Sequence, residues 1–504
     1  MGNGHSSWII EPTFDDHDLS DYFCGNSSAT HVTCPPMRSC EWDLTFAQDP
    51  LYPQCAGHGC ETCLHKTLWP LANGDYLTGA FLFVCGTLAG ASGIGGGGLN
   101  VPLLMLSGSF LVSEAVPLSH VMVFGNAIAQ NLINAPRTHP HSERRALIDL
   151  EMPLLMLPSM LGGNTIGVLI SPVLPASGVE ALAILLLGYA GLKTLYTARK
   201  TYKKENAETQ AAQLVAGTTN ATGFDGRSHL TAVKPLLPND TLAGGSYASA
   251  IGAPYPVEAP PLGGSLDGRV EGVSRPAEES QSFGFDMRLG LLMLLWLAIV
   301  LDFLGAKKWG GHGSVCSTPK LAWLFAQLTL VTVAAVGGGL YLLRAQRARD
   351  ASGEARLPGD IVWRANNVIS LPLLGVLVGV VAGLLGLGGG ELMAPLLLAV
   401  GMIPQVASAT SACMVLFTSS ADIAHYAFEG VLSPDPRYVA TLACLGFLSA
   451  FIGRTGALRL VRQLSHPSII AFVLGLVLLL ALALLCVQVV RAKPDWSFAN
   501  LCAK

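Results

Sequence analysis

Two stretches of the chain carry residues suited to holding an anion without a fixed counter-charge. Gly86–Leu104 reads GTLAGASGIGGGGLNVPLL, and Gly379–Leu397 reads GVVAGLLGLGGGELMAPLL. Each places a glycine triplet, Gly95–Gly97 or Gly388–Gly390, ahead of an apolar run. Where a helix restarts after a glycine turn, its first amides lack an intrahelical partner and the dipole is positive there. With no side chain in the way, a small anion can approach those amides closely. Gly95, Gly96, Gly97, Gly388, Gly389 and Gly390 are therefore candidate binding residues, together with Asn100 just beyond the first triplet. The alternative for the triplets is helix packing or a simple hinge. For Gly86/Gly90 and Gly379/Gly383, which have small-x-x-x-small spacing, packing is the preferred reading.

The apolar segment after each glycine run adds neutral hydrogen-bonding groups. The first holds Ser119, His120, Asn126, Gln130, Asn131 and Asn134; the second holds Ser408, Thr410, Ser411, Thr418, Ser419, Ser420, Asp422 and His425. With a one-residue gap, Ser119 pairs with Ser411 and Asn126 with Thr418. Such donors bind a desolvated oxyanion without a permanent ion pair, which makes Asn126, Ser411 and Thr418 candidate binding residues; ordinary interhelical bonds are the alternative. His120 and His425 read as structural rather than as proton relays. Glu391 directly follows the second triplet. A charge at mid-membrane costs about 3 kcal/mol on the insertion scale, so this carboxylate is either a proton-coupling group or a partner for the helix dipole.

The elements that must position these residues follow from a repeat. A constant offset of 293 pairs Gly86 with Gly379, Gly90 with Gly383, Gly93 with Gly386, the two triplets with each other, Leu99 with Leu392 and Pro102 with Pro395. The chain is an internal duplication. Hydrophobic residues make up 51% of the 504 positions and charged ones 13%, against about 25% charged in soluble proteins. The apolar residues fall in bilayer-length blocks at 76–108, 115–135, 150–172, 179–198, 286–304, 321–343, 368–401, 405–428, 437–453 and 467–490. The net charge of −4 gives no sign of nucleic-acid binding. The common nucleotide, zincin and serine-hydrolase motifs are missing, so neither an enzyme nor a cofactor is expected.

The fold class expected is an all-α polytopic membrane protein of two homologous repeats of inverted topology, each opening with a glycine-broken helix. As one helix, 76–108 would be roughly 50 Å long against a ~30 Å hydrocarbon core, and a glycine run at its middle favours a break and reversal. Five crossings would then separate the starts of the two repeats, an odd number, which inverts the second. Basic clusters at Arg137/Arg144/Arg145, Arg199/Lys200/Lys203/Lys204, Arg344/Arg347/Arg349 and Arg454/Arg459/Arg462 are placed on the cytoplasmic side. The expected organisation is a Cys-rich region at 1–75, repeat 1 at 76–198, a disordered linker at 199–285 and two additional helices at 286–343. A basic connector at 344–364, repeat 2 at 365–490 and a tail at 491–504 complete it.

In the N-terminal region Cys24, Cys34, Cys40, Cys55, Cys60 and Cys63 suggest lumenal or extracellular disulfides, with a glycosylation sequon at Asn26. Against that, MGNGHS fits a myristoylation pattern that needs a cytoplasmic N-terminus, and Cys60-x-x-Cys63 with His58 and His65 is an incomplete zinc pattern. No metal is expected.

The doubled G-x-x-x-G-x-x-G-x-G-G-G-x-L-x-x-P-L-L resembles the signature of the sulfite exporter TauE/SafE family over roughly 76–198 and 365–490. The Cys-rich region and the long linker resemble its eukaryotic branch. The first repeat departs from the second at Gly98, where the second has Glu391, and at Asn100, where it has Met393. The resemblance implies a secondary transporter of small anions, sulfite or organosulfonate, acting by alternating access within the lipid bilayer. An anion channel, or a receptor or scaffold acting through the Cys-rich region, stand as alternatives.

Overall fold

The computed structural model describes residues 24, 34, 37–43, 60–170, 173–221, 287–309, 318–353, 357, 359–385, 390–429, 432, 435–464 and 466–491. The chain divides into two units, Met1–Thr201 with Gln281–Lys504, and Tyr202–Ser280, the latter described only through the end of one helix. Among the described residues are α1 (Asn73–Ser92), α2 (Gly97–Gly108), α3 (Val112–Asn134), α4 (Glu151–Ile170), α5 (Ala176–Ala221) and α6 (Met287–Trp309). They continue with α7 (Thr318–Ser352), α8 (Ala365–Leu385), α9 (Gly390–Val400), α10 (Pro404–Glu429), α11 (Pro436–Leu464) and α12 (Ser468–Arg491). Two short hairpins accompany them: β1 (Arg38–Asp43) with β2 (Cys60–His65), and β3 (Thr138–His139) with β4 (Ser142–Ala146). Eight helices, α4 to α8 and α10 to α12, are long and apolar enough to cross a membrane. The 23-residue α3 is not among them because its polar side chains lower its hydropathy, yet it is packed within the bundle.

The first glycine segment breaks and reverses. Gly93 and Gly96 take φ of 89° and 81°, a left-handed backbone that costs an L-residue about 1–2 kcal/mol. Beyond the break, α2 runs back along α1, so that near its far end the Ser107 hydroxyl accepts a 3.0 Å bond from Thr78 Oγ1, one turn into α1. In the second repeat, α8 and α9 flank residues 386–389, so Gly388 and Gly389 lie outside the described residues. Their matched prolines, Pro102 and Pro395, fall inside α2 and α9.

The repeats pack reciprocally. Helix α1 lies against α11, and its counterpart α8 lies against α4. Both contacts bring backbones together: a Cβ at Gly453 would strike the Thr87 carbonyl and the Ala91 amide, and one at Gly167 would strike the Val380 carbonyl and the Leu384 amide. Thr87/Val380 and Ala91/Leu384 are related by the 293-residue offset, so Gly453 and Gly167 are structural equivalents. On the opposite helices, Gly90 faces the Ala450 backbone and Gly383 the Asn164 carbonyl. These small residues are the packing seams of the bundle, because without a hydrophobic drive between helices in lipid, close backbone approach supplies the association.

The N-terminal hairpin sits over the α2–α3 junction. Disulfides join Cys24 to Cys40 and Cys34 to Cys63, and Cys60 is also disulfide-bonded. Those sulfurs are committed to covalent bonds and so are not zinc thiolates. Cys55 and Asn26 lie outside the described residues. Arg38 donates to the Cys63 carbonyl (2.8 Å) and the Ser109 carbonyl (3.1 Å) and pairs with Glu114. His65 stacks on Phe110 at 3.8 Å and contacts the Gly108 carbonyl at 2.9 Å. Beyond β2, Lys66 pairs with Asp75 of α1 at 2.6 Å, and the Leu68 amide donates at 2.9 Å to Asp435, just before α11.

Three boundaries differ from expectation. Residues 199–221, expected as linker, continue α5, because their Ala, Glu, Gln and Lys content is helix-forming as well as polar. Residues 344–352, expected as connector, continue α7 for the same reason. Arg454, expected among the cytoplasmic loop charges, is a fully buried residue within α11, whose helix runs eleven residues past the end of the apolar block at 453.

Candidate functional site

The break between α1 and α2 leaves the Ile94 carbonyl outside both helices, and α3 supplies donors to carbonyls of this segment. Gln130 Nε2 donates to the Ile94 carbonyl at 3.3 Å, Ser119 Oγ to the Gly97 carbonyl at 3.4 Å, and Asn126 Nδ2 to the Gly86 carbonyl at 3.3 Å. Gln130 also donates to Asn126 Oδ1. In an apolar bundle a carbonyl outside the ladder needs a partner, and the Gln130 amide provides it for Ile94. Gly95 sits between Val123 and Val415, which an offset of 292 makes equivalent, so the break lies where the two repeats meet.

The sequence candidates divide accordingly. Gly96 caps α2, Gly97 begins it, and Asn100 is 1% exposed with neither side-chain polar atom bonded. Asn126 is engaged by backbone and Gln130, and Thr418 Oγ1 bonds the Val415 carbonyl of its own helix at 3.2 Å. Ser411 is fully buried on α10. Gly390 opens α9 and Glu391 is its second residue, but the Glu391 side chain lies outside the described residues, as do Gly388 and Gly389.

The group that sequence reasoning did not single out is Arg454. Its side chain is fully buried on α11; Nε donates to Asn134 Oδ1 at 2.9 Å and Nη1 to Ser408 Oγ at 2.8 Å. Nη2 and the Asn134 Nδ2 have no partner. Among the described residues no carboxylate pairs with this guanidinium, and Ser408 abuts the left-handed turn at Gly93. Further positive charge lies close by: Arg137, just past α3, has its charged form disfavoured by burial and then by the Arg462 guanidinium. The N-terminus of α10, where Ser408 lies one turn in, adds a positive dipole end. An unpaired buried charge is costly, and a site that concentrates positive potential and unused donors is complementary to an anion. The sequence did hold a signal, since Arg454 follows Gly446, Ser449, Ala450 and Gly453 on one small-residue packing face, a poor address for a solvated charge.

A second polar group lies nearer the middle of α3. His120 Nε2 is 3.2 Å from Asp422 Oδ2, and Asn164 Nδ2 donates to Asp422 Oδ1 at 3.0 Å. This joins α3 and α4 of one repeat to α10 of the other. The amide of Asn164 is thus part of the polar interior.

A bundle of apolar helices in two reciprocally packed repeats, broken at glycines and enclosing polar and charged side chains, defines a multi-pass integral membrane transporter. The family profile described as sulfite exporter TauE/SafE matches this chain at residues 78–232 and again at 371–500. The chain belongs to the sulfite exporter TauE/SafE family. It is similar to sulfite exporter TauE/SafE family protein 5 of Arabidopsis thaliana, 25% identical over 423 residues, which cover 82% of this chain and 83% of the relative. Family protein 2 of the same plant is 26% identical over 432 residues, with 82% and 83% covered, and family protein 1 is 26% identical over 408 residues, with 80% and 81% covered. No solved structure matches the chain.

Proposed function

We propose that this protein is a secondary transporter that moves a small oxyanion, sulfite or an organosulfonate, by alternating access around the glycine-broken helices. The observation that carries the reading is Arg454, a fully buried guanidinium with a free Nη2 and no described carboxylate, beside the Gly93 turn. A resident cation of this kind in an apolar bundle calls for a mobile anion. The names of the Arabidopsis relatives point to sulfite as the first anion to try.

Inverted topology of the repeats is supported by the reversal of α1 into α2, which leaves α3 to α7 as five crossings between the repeat starts. The disulfides favour a lumenal or extracellular N-terminal region, with the cytoplasm at the Arg454 end of the bundle. Backbone amides at Gly95–Gly97 and Gly388–Gly390, with Asn100, Asn126, Ser411 and Thr418, complete the proposed pathway, and Glu391 is a candidate proton-coupling group.

The test is flux in proteoliposomes with sulfite, sulfate, sulfoacetate and taurine, with and without a pH gradient. Saturable flux that bulky residues at Gly96 and Gly389 abolish supports a transporter; flux without saturation indicates a channel. No flux for any anion from folded protein overturns the reading.

A further inference from the structure

The contacts of His120 fix where its hydrogens lie. Its Nδ1 is 2.9 Å from the Val116 carbonyl, and a carbonyl only accepts, so Nδ1 carries a hydrogen. Nε2 then faces Asp422 Oδ2 at 3.2 Å. A hydrogen bond there requires one proton, held by the imidazole or by the carboxyl. The other carboxyl oxygen is occupied by the Asn164 amide at 3.0 Å. Were the proton absent, a nitrogen lone pair would face a carboxylate inside a bundle where His120 is only 4% exposed. That repulsion is relieved by moving α3 away from α10, which is to say by moving one repeat against the other.

We propose that His120 and Asp422 form a single proton-binding site between the repeats, and that filling and emptying it couples the conformational exchange to a proton gradient. The inference rests on the transporter reading and deepens it by naming the coupling ion as a proton. On the side where the site is open, an N–H or O–H bond forms with a proton taken from water; on the other side the same bond breaks and the proton returns to water. The sequence offsets make the site single. At 292 residues Asp422 answers to Gln130 and His120 to Ala412, neither of which titrates, so one proton is bound per cycle.

The surroundings contain little else that titrates. From α10, the Tyr426 ring lies edge-on to His120 at 5.5 Å, and His425 stands beyond it at 5.8 Å, covered by Phe303 of α6 at 4.9 Å. Asp302 adjoins Phe303 in the α6 sequence, and Lys307 of α6 is bonded to the Phe428 carbonyl. From α4 the neighbour is the neutral Asn164, while Glu151 at the start of that helix is held by Arg288 and Arg349. Helix α2 carries no titratable side chain. Glu114 opens α3 in its pair with Arg38, and Arg454 of α11 binds Asn134 at the far end, about 21 Å along α3 from His120.

The experiment separates exchange from coupling. In proteoliposomes carrying wild type, His120→Gln or Asp422→Asn, labelled sulfite, sulfate and sulfoacetate are followed in two modes: counterflow at equal pH, and accumulation driven by a pH gradient. Counterflow is expected within about twofold of wild type in the variants, while gradient-driven accumulation falls to the level seen without a gradient. Variants that keep gradient-driven accumulation, or folded variants that lose counterflow as well, overturn the proposal. Glu391→Gln is measured alongside; loss of gradient response there with His120→Gln unaffected overturns it in favour of Glu391. Absence of counterflow in wild type sinks the transporter reading itself, a distinguishable result. For variants that fail to fold, an internal pH dye in wild-type vesicles reads whether an anion gradient moves protons; no proton movement overturns the coupling while leaving anion transport standing.

Discussion

Arg454 Nε and Asn134 Oδ1, 2.9 Å apart, join α11 of the second repeat to α3 of the first. The same guanidinium reaches Ser408 and leaves Nη2 unused, so one buried cation ties both repeats together at the end of the glycine break. Burying such a charge without a counter-ion is unfavourable, and its persistence makes sense where an anion comes and goes.

The packing seams predict a sharp contrast among glycines. Gly167→Val and Gly453→Val force side chains into the Val380 and Thr87 carbonyls, whereas a Cβ at Gly79 meets nothing within 4 Å. Overpacking of this kind typically costs about 1–3 kcal/mol and occasionally more. Both Val variants are expected to lower the thermal aggregation temperature in detergent and to behave alike, since their sites are equivalent. Gly79→Ala should match wild type. A stable Gly453→Val protein would refute the close-approach account.

At Gly96 the constraint is conformational. Its φ is 81°, and an Ala there bears about 1–2 kcal/mol of strain in addition to meeting Ala89 Cβ at 2.9 Å. Slower flux is expected for Gly96→Ala at unchanged expression, while Gly290→Ala, at an open helical position, is expected to leave flux intact.

Asn100 offers a separation of stability from function. Its buried amide has no protein partner, and leaving such a group unsatisfied costs about 1–3 kcal/mol. Asn100→Leu is therefore expected to hold or raise thermal stability while weakening transport, because the unused amide is a ligand group in this account. A variant that transports like wild type would remove Asn100 from the pathway.

The N-terminal region is held by groups that respond to acid. Asp435 has its carboxyl lowered first by the Leu68 amide bond, and burial lowers His65. Both folded values lie below the unfolded ones, so both contributions are present at neutral and higher pH and are lost as pH falls through the folded values. Hydrogen-exchange protection in 60–72, taken relative to the intrinsic rate at each pH, should fall in acid, and Asp435→Ala should reduce its pH dependence. Reducing the Cys24–Cys40 and Cys34–Cys63 disulfides should lower that protection at every pH.

Much of the fold was legible because periodic signals survive duplication. The 293-residue offset located both broken helices, and apolar blocks located the long spans. Helix ends were less legible: polar helix formers at 199–221 and 344–352 have the composition of a linker but the propensity of a helix. Within the site, glycines and neutral donors were visible by type, but the partner of each was not. Asn126, a candidate binding residue by type, also bonds the Gly86 carbonyl, a partner that only the packing of α3 beside α1 reveals. Arg454 was hidden by its neighbours Arg459 and Arg462, which made a buried residue resemble the start of a basic loop.

The most direct measurement is equilibrium binding of sulfite to the purified full-length protein and to Arg454→Gln and Arg454→Lys. A charge-assisted bond contributes about 1.5–3 kcal/mol, equivalent to a loss of about 10- to 100-fold in affinity. Saturable binding to wild type, weakened at least tenfold in folded Arg454→Gln and partly restored in Arg454→Lys, is the predicted result. Equal affinity in wild type and Arg454→Gln would contradict the account, leaving Arg454 as a structural tie and the anion site elsewhere.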